Sequence, residues 1–174
     1  RDFIGPFNEF FLKIYQQLSE KKEAVSIVYH ANATTANYDK KFNESLKKDL
    51  MLQRTNVGIH KDDFQFIIDD NPLKKFGSQG QQKSFVIALK LAQYDVIKDL
   101  KSFKPILLLD DIFDKLDSDR ILQMINIVNT KQYGQAFITD ARAERAKEIF
   151  DDAKLSCNFL HVKKGEVNDE EQKV

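Results

Sequence analysis

The chain has one cysteine in 174 residues, three prolines, six glycines, no excess of either charge and no long apolar run. A lone thiol, Cys157, excludes an internal disulfide and suits a reducing cytosol. Its alternation with Phe159 and His161 predicts a packed strand thiol, since a nucleophilic cysteine needs a base and an electropositive setting. No apolar stretch approaches the roughly 20 residues that cross a bilayer as a helix. No secretory leader is visible either, although a truncated start would hide one. Lys plus Arg and Asp plus Glu both number 27, so net charge gives no support to nucleic-acid binding and any basic surface must be local. The pairs Lys40-Lys41, Lys47-Lys48, Lys74-Lys75 and Lys163-Lys164 read as solvated surface. All six glycines are isolated, and no Gly-x-x-x-x-Gly-Lys-Ser/Thr loop is present to cradle nucleotide phosphates.

What is present is a length sufficient for one ordinary domain or a domain with an appendage, and a hydrophobic content of 42% that supports a folded globular protein. Phe7, Phe10, Phe11, Ile14 and Leu18 recur at helical spacing behind Pro6. Val25 to Ala31 alternates as a strand, Asn32 to Asn37 is a loop, and Tyr38 to about Leu52 is a charged helix with Phe42, Leu46 and Leu50 on one face. After Gly58 the pattern becomes α/β. Phe64 to Ile68 reads as a strand ending on the turn Asp69-Asp70-Asn71-Pro72. A long helix follows from about Gln79 to Leu100, with Phe85, Leu89, Ala92, Val96 and Leu100 expected inside. Further on come a helix from about Ser118 to Asn129 and a strand, Ala136 to Thr139, expected to lie parallel to an earlier one through a right-handed crossover. A last helix spans about Arg142 to Phe150, and Asn158 to Val162 runs into a Lys163-Lys164-Gly165 turn. The charged tail from Asn168 is expected to be disordered.

The most telling stretch is Pro105-Ile106-Leu107-Leu108-Leu109-Asp110-Asp111. An apolar run of this kind predicts a strand buried on both faces, delivering two carboxylates to the carboxyl edge of a sheet, where ligands collect. Burying adjacent acids is costly unless something such as a divalent cation compensates them. About 25 residues earlier, Phe76-Gly77-Ser78-Gln79-Gly80-Gln81-Gln82 opens the long helix. Ser78 and Gln81 have capping-box spacing, Gly80 permits close approach to the backbone, and the start of such a helix favours phosphate oxygens. Downstream of the strand lies Asp114-Lys115-Leu116-Asp117.

In this order the three pieces resemble the signature motif, Walker B strand and D-loop of ATP-binding-cassette ATPases. Asp111 where a glutamate is usual, Gln79 after the signature serine, Ala88-Leu89-Lys90-Leu91-Ala92 in the next helix, and Gly58-Ile59-His60-Lys61-Asp62-Asp63-Phe64 upstream are together similar to the RecF family of bacterial recombination-repair ATPases. The upstream element departs from the family's Gly-Pro-His-Arg-Asp-Asp-Leu in having Ile59 for proline. The resemblance runs from about Arg1 to Val167. It implies an α/β fold, the C-terminal half of an ABC-type ATPase head with a helical-lobe remnant. Residues 1–56 would be that remnant and its return into the ATPase body, 57–167 the ATPase subdomain, and 168–174 the tail. With no phosphate cradle and Arg1 at its start, the chain is expected to be the C-terminal half of a protein about twice as long, and inactive alone.

The resemblance also implies roles. Asp110 would hold Mg²⁺ and Asp111 would polarise the water that attacks the γ-phosphate. Ser78, Gln79, Gly80 and Gln81 would meet ATP from across a homodimer. Asp117 would cross the dimer seam, or cap the following helix, or both. Asp140 stands where many cassette ATPases place a switch histidine; an ionised aspartate cannot donate a proton, which leaves the γ-phosphate sensor unassigned. His60 is assigned no chemistry, and Lys61 is expected to pair locally with Asp62 or Asp63. The implied partners are gapped or junction DNA and a RecR-type mediator, in the cytoplasm and without membrane. The alternatives are a nucleotide-independent interaction module and a head fragment of another SMC or ABC-type ATPase.

Overall fold

The computed structural model describes every residue except Arg1, Lys115, Lys131, Ser156 and 170–174. The spacing of Phe7 to Leu18 folds as α1 (Ile4–Leu18), whose buried face is Phe11, Ile14, Tyr15 and Leu18. The chain then turns into β1 (Val25–His30), crosses a loop to α2 (Tyr38–Leu52) and passes a single 3₁₀ turn, Ile59–Lys61, into β2 (Asp63–Ile68). Strands β1 and β2 pair antiparallel, with Val25 opposite Ile68 and His30 opposite Asp63. Asp69 and Asp70 have φ of 45° and 62° and form a two-residue turn into the short β3 (Asn71–Pro72). Positive φ at both central residues is what such a hairpin demands, and aspartate tolerates it.

A one-turn helix, α3 (Leu73–Phe76), leads into the 23-residue α4 (Gln79–Lys101). This helix packs along α1. Phe85, 1% exposed, meets Phe11, Phe66 and Tyr15 at ring separations of 4.6, 5.1 and 5.8 Å. Next come β4 (Leu107–Leu109), α5 (Ser118–Val128) and β5 (Ala136–Ile138), with β4 and β5 parallel and Leu108 opposite Phe137. Helix α6 (Ala143–Asp152) and the hairpin of β6 (Leu160–Lys163) and β7 (Glu166–Asp169) complete the fold. The expected α/β architecture is present, with a parallel pair flanked by helices. No described helix is long and apolar enough to cross a membrane.

The structure departs from the sequence pattern in five places. Strand β4 is buried on one face only: Leu107 and Leu109 are each 6% exposed, whereas Leu108 is 72% and Ile106 is 60%. The inward face, Leu107 and Leu109, joins the hydrophobic core, and no described element covers the other. Leu100 is 76% exposed, because α4 buries the row Ser84, Phe85, Ala88, Leu91, Ala92 and Asp95 and Leu100 lies in the open groove that the end of α4 forms with Phe3 and Phe7. Helix α2 has the expected bounds, yet none of its residues is buried. Cys157 precedes β6 instead of lying in a strand, and burial still pushes its thiol pKa up, away from reactivity. Asn168 and Asp169 belong to β7, while 170–174 lie outside the described residues. Residues on both sides of position 57 share one antiparallel sheet and one core through β1 with β2 and α1 with α4.

Phe85→Ala should therefore cost about 3–5 kcal/mol, as expected for a large aromatic removed from a closed core. Leu100→Ala should stay within about 0.5 kcal/mol of wild type. Urea unfolding monitored by circular dichroism measures both, and comparable losses would contradict this placement of the core.

Candidate functional site

The start of α4 is held by local geometry. Ser78 Oγ accepts from the Gln81 amide at 3.2 Å, and Gln81 Oε1 accepts from the Ser78 amide at 2.8 Å, which completes the capping box. The Gln82 amide reaches the Ser78 carbonyl at 2.9 Å. That leaves the Gln79 and Gly80 amides without an intrahelical partner, pointing out of the tip with the positive end of the helix dipole behind them. Gly77 is required just before the cap. A Cβ there would lie 2.7 Å from both Leu73 Cδ1 and the Leu73 carbonyl oxygen.

At the other side of the site β4 ends on Asp110 and Asp111. The Thr139 hydroxyl, at the end of β5, donates to Asp110 Oδ1. Thr139 Oγ1 in turn accepts from the Asp111 amide at 3.3 Å. Lys83, in the second turn of α4, donates to the Asp111 carbonyl at 3.0 Å. Asp111 has φ of 46°, so it leaves strand geometry. Its side chain therefore does not continue the period-two alternation of β4. Its backbone is pinned on both sides and its carboxylate projects from a fixed peptide. A groove of about 830 Å³ runs along this region, lined on one wall by Gln79, Gln82, Lys83 and Val86 of α4 and on the other by Ile106 to Asp110.

Asp117 is the N-cap of α5, with Oδ1 accepting from the Arg120 amide at 2.8 Å. Beneath the two helix starts lies a polar cluster without a sequence signature. Glu23, with its side chain 10% exposed, accepts from Arg120 at 2.5 Å, Tyr15 at 2.5 Å and Gln81 Nε2 at 3.0 Å. Burial pushes the Glu23 pKa up, but the hydrogen bonds from Arg120, Tyr15 and Gln81, with the charge of Arg120, outweigh it and hold the carboxyl below its ordinary value. Burial and then the Glu23 contact drive the Tyr15 hydroxyl above its usual range.

The structure thus brings Gln79 and Asp110 to one groove, links Gln81 to α5 through Glu23, and joins α4 to Asp111 through Lys83. Sequence reasoning passed over Lys83, Glu23 and Arg120, single charged residues whose partners are distant in the chain. Asp140 is turned inward. Its side chain is 2% exposed, Oδ1 accepts from the Arg142 amide at 2.6 Å at the start of α6, and Oδ2 has no partner among the described residues. His60 bonds Thr55, its Nε2 lying 3.1 Å from the hydroxyl and 3.2 Å from the carbonyl. Asp62 accepts from the Tyr29 hydroxyl and from the Asn32 amide at 2.7 Å, which stitches the Gly58 to Phe64 element to the end of β1.

No family model matches the chain. It is 48% identical over 157 residues to the DNA replication and repair protein RecF of Cytophaga hutchinsonii, covering 90% of this chain and 42% of that protein. To the protein of the same name from Bacteroides fragilis it is 39% identical over 171 residues, covering 98% and 46%. The chain therefore spans less than half the length of these curated relatives. A solved structure of the recombination mediator protein RecF-ATPrS in the RecFOR pathway matches 97% of the chain and 44% of its own length, with a TM-score of 0.71 and 21% identity. The RecF-ATP structure from the same pathway matches with a TM-score of 0.69.

The Glu23 cluster makes stability depend on acid. Glu23→Gln should cost about 3–5 kcal/mol at neutral pH, the usual loss when one partner of a buried ion pair is removed. A carboxylate held below its ordinary value contributes stability that is complete above the unfolded-state pKa of about 4.3 and is lost as pH falls through the folded value. Denaturant midpoints of wild type and variant should converge as pH drops below about 4. A gap that stays constant with pH would contradict the assignment.

Proposed function

Since this chain belongs to the RecF family and matches less than half the length of its members, we propose that it is the C-terminal portion of an ATP-dependent DNA-binding protein of repair and recombination, supplying one half of a composite nucleotide site. The observation that carries this reading is that Lys83 ties the capped α4 start to the Asp111 backbone while Thr139, at the end of β5, holds the acidic end of β4. A helix tip with free amides suits the phosphate oxygens of one nucleotide, while Asp110 and Asp111 at the exposed strand end suit the cation and the attacking water of another. The phosphate cradle absent from this sequence would come from the remainder of the longer protein. That remainder would also cover Ile106 and Leu108, since a parallel sheet is ordinarily shielded on both faces.

In this reading Ser78, Gln79, Gly80 and Gln81 present the α4 tip to the γ-phosphate of ATP held by a second subunit, so nucleotide binding drives homodimerisation. Asp110, exposed at the strand end, is a hard oxygen donor of the kind Mg²⁺ takes. Mg²⁺ usually keeps several waters and is held by one or two carboxylates together with substrate phosphates; no group of three or more metal-ligating side chains is assembled among the described residues. Bound there, Mg²⁺ would neutralise charge on the phosphates. Asp111, its peptide fixed by Lys83 and Thr139, takes the proton of the attacking water on its carboxylate. Asp117 meets the partner subunit at the seam. Gapped or junction DNA and a RecR-type mediator are the partners this family assignment favours, and the cytoplasm is the compartment.

Two substitutions in the full-length protein separate the roles. Asp111→Asn should leave ATP binding intact and slow hydrolysis by about 10²- to 10⁴-fold, the usual cost of losing a general base. Ser78→Arg should leave ATP binding to the monomer intact and abolish nucleotide-driven dimerisation, because the side chain fills the space at the helix tip. Steady-state turnover and equilibrium sedimentation with a slowly hydrolysed analogue measure the two effects. Unchanged turnover in the first variant, or normal dimerisation in the second, would refute the corresponding role.

A further inference from the structure

The cluster beneath the site joins segments far apart in the chain. Glu23 lies in the loop between α1 and β1. It receives Gln81 Nε2 from the first turn of α4 and Arg120 from the first turn of α5. Arg120 also reaches Ser84 Oγ at 3.0 Å, a turn further along α4, and Asp117 Oδ2 at 3.2 Å, on the α5 cap itself. Gln81 spends its Oε1 on the Ser78 amide and its Nε2 on Glu23. A continuous chain of hydrogen bonds therefore runs from the Ser78 cap through Gln81, Glu23 and Arg120 to the Asp117 cap.

Stability alone is a poor explanation for this arrangement. Desolvating two charges offsets most of their mutual attraction, and apolar residues of similar volume serve a core as well or better. Apolar contacts fix where a helix lies but do not hold polar groups at set angles, whereas a planar guanidinium fork holds several acceptors at fixed angles. What local capping does not set is the direction of one tip relative to the other. Ser78, Gln79 and Asp117 to Asp119 are exposed, so packing does not orient them.

We propose that Glu23 and Arg120 are positioning residues that lock the Ser78 and Asp117 helix caps into one rigid unit, so that both meet a partner subunit in a fixed mutual geometry. The proposal rests on the reading of these caps as trans-acting elements of a dimeric ATP site. Neither residue touches nucleotide. Each acts through the helix start it holds.

The test uses the full-length protein and two variants. Arg120→Lys keeps the charge opposite Glu23 but replaces a fork that spans Glu23, Ser84 and Asp117 with a single ammonium. The double variant Glu23→Met with Arg120→Met removes both charges and fills the space, which a purely structural role tolerates. Thermal unfolding is measured beside the concentration of a slowly hydrolysed ATP analogue needed for half-maximal dimerisation, with Ser78→Arg as reference. Both variants should fold, with the double variant unfolding near the wild-type temperature, and both should need at least about tenfold more analogue, since small misplacements of a preorganised group are costly. ATP binding to the monomer should be unchanged. Folded variants that dimerise at wild-type analogue concentrations, while Ser78→Arg does not, would overturn the proposal and leave the site reading standing. Dimerisation of Ser78→Arg as well would remove the site reading and this proposal with it. Failure of Arg120→Lys to fold would show the pair to be a requirement of folding and would equally overturn it.

Discussion

The packing of α4 against α1 is the contact to which the rest of the chain is referred. Phe85 sits where α1, β2 and α4 converge, and it fixes how far along and how far around its axis α4 can lie. Once the helix is set, its N-terminal tip, its Lys83 and its far half each reach a different part of the fold. In the far half Asp95, 3% exposed, accepts from Lys98 at 2.9 Å and from Gln132 at 2.6 and 2.7 Å. The Tyr94 hydroxyl donates to the Pro105 carbonyl at 2.9 Å and accepts from the Gly134 amide at 3.1 Å, which holds the entries of β4 and β5 side by side. The parallel pair, and with it the position of Asp110 and Thr139, is thus hung from α4 at both ends.

A second constraint is the bare surface this arrangement leaves. Leu108 on β4 and Ile106 just before it, Phe137 on β5, Val86 on α4, and Leu46 and Leu50 on α2 are large apolar side chains in open positions. An uncovered face on a parallel strand pair is unusual, because such sheets are normally shielded on both sides. The same face borders the groove that holds Gln79 and Asp110. Completing the sheet and completing the site are therefore a single requirement, and that is why the reading of this chain as one half of a composite site is tied to its fold.

Much of this was legible in the residues. Helical spacing in Phe7 to Leu18, the Ser78 and Gln81 pair, the aspartate pair at the β2–β3 turn and the apolar run before Asp110 each encode a local preference that the fold keeps, because tertiary packing agrees with it. What the sequence concealed depends on partners that are remote or missing. Four consecutive apolar residues report that a strand has two faces meant for burial, but not whether both covers are at hand, and here one is not. Leu100 fits the helical stripe and is exposed because the groove it forms with Phe3 and Phe7 stays open. Glu23 and Arg120 look like ordinary surface charges, and only the meeting of the α1–β1 loop with α5 makes them a buried pair. Asp111 lies past the end of its strand in a left-handed conformation, so period-two alternation could not say where its carboxylate points.

In the proposed dimer the α4 tip and the acid pair serve different nucleotides. Mixing two full-length variants that are each inactive, Ser78→Arg and Asp111→Asn, tests it most directly. In a mixed dimer one site would combine an intact Asp111 from one subunit with an intact Ser78 from the other. Measured ATP turnover should therefore reappear on mixing and grow with the fraction of mixed dimer. If a physically mixed dimer forms and its turnover stays at background, Ser78 and Asp111 do not act across the subunit boundary, and the composite site described here is wrong.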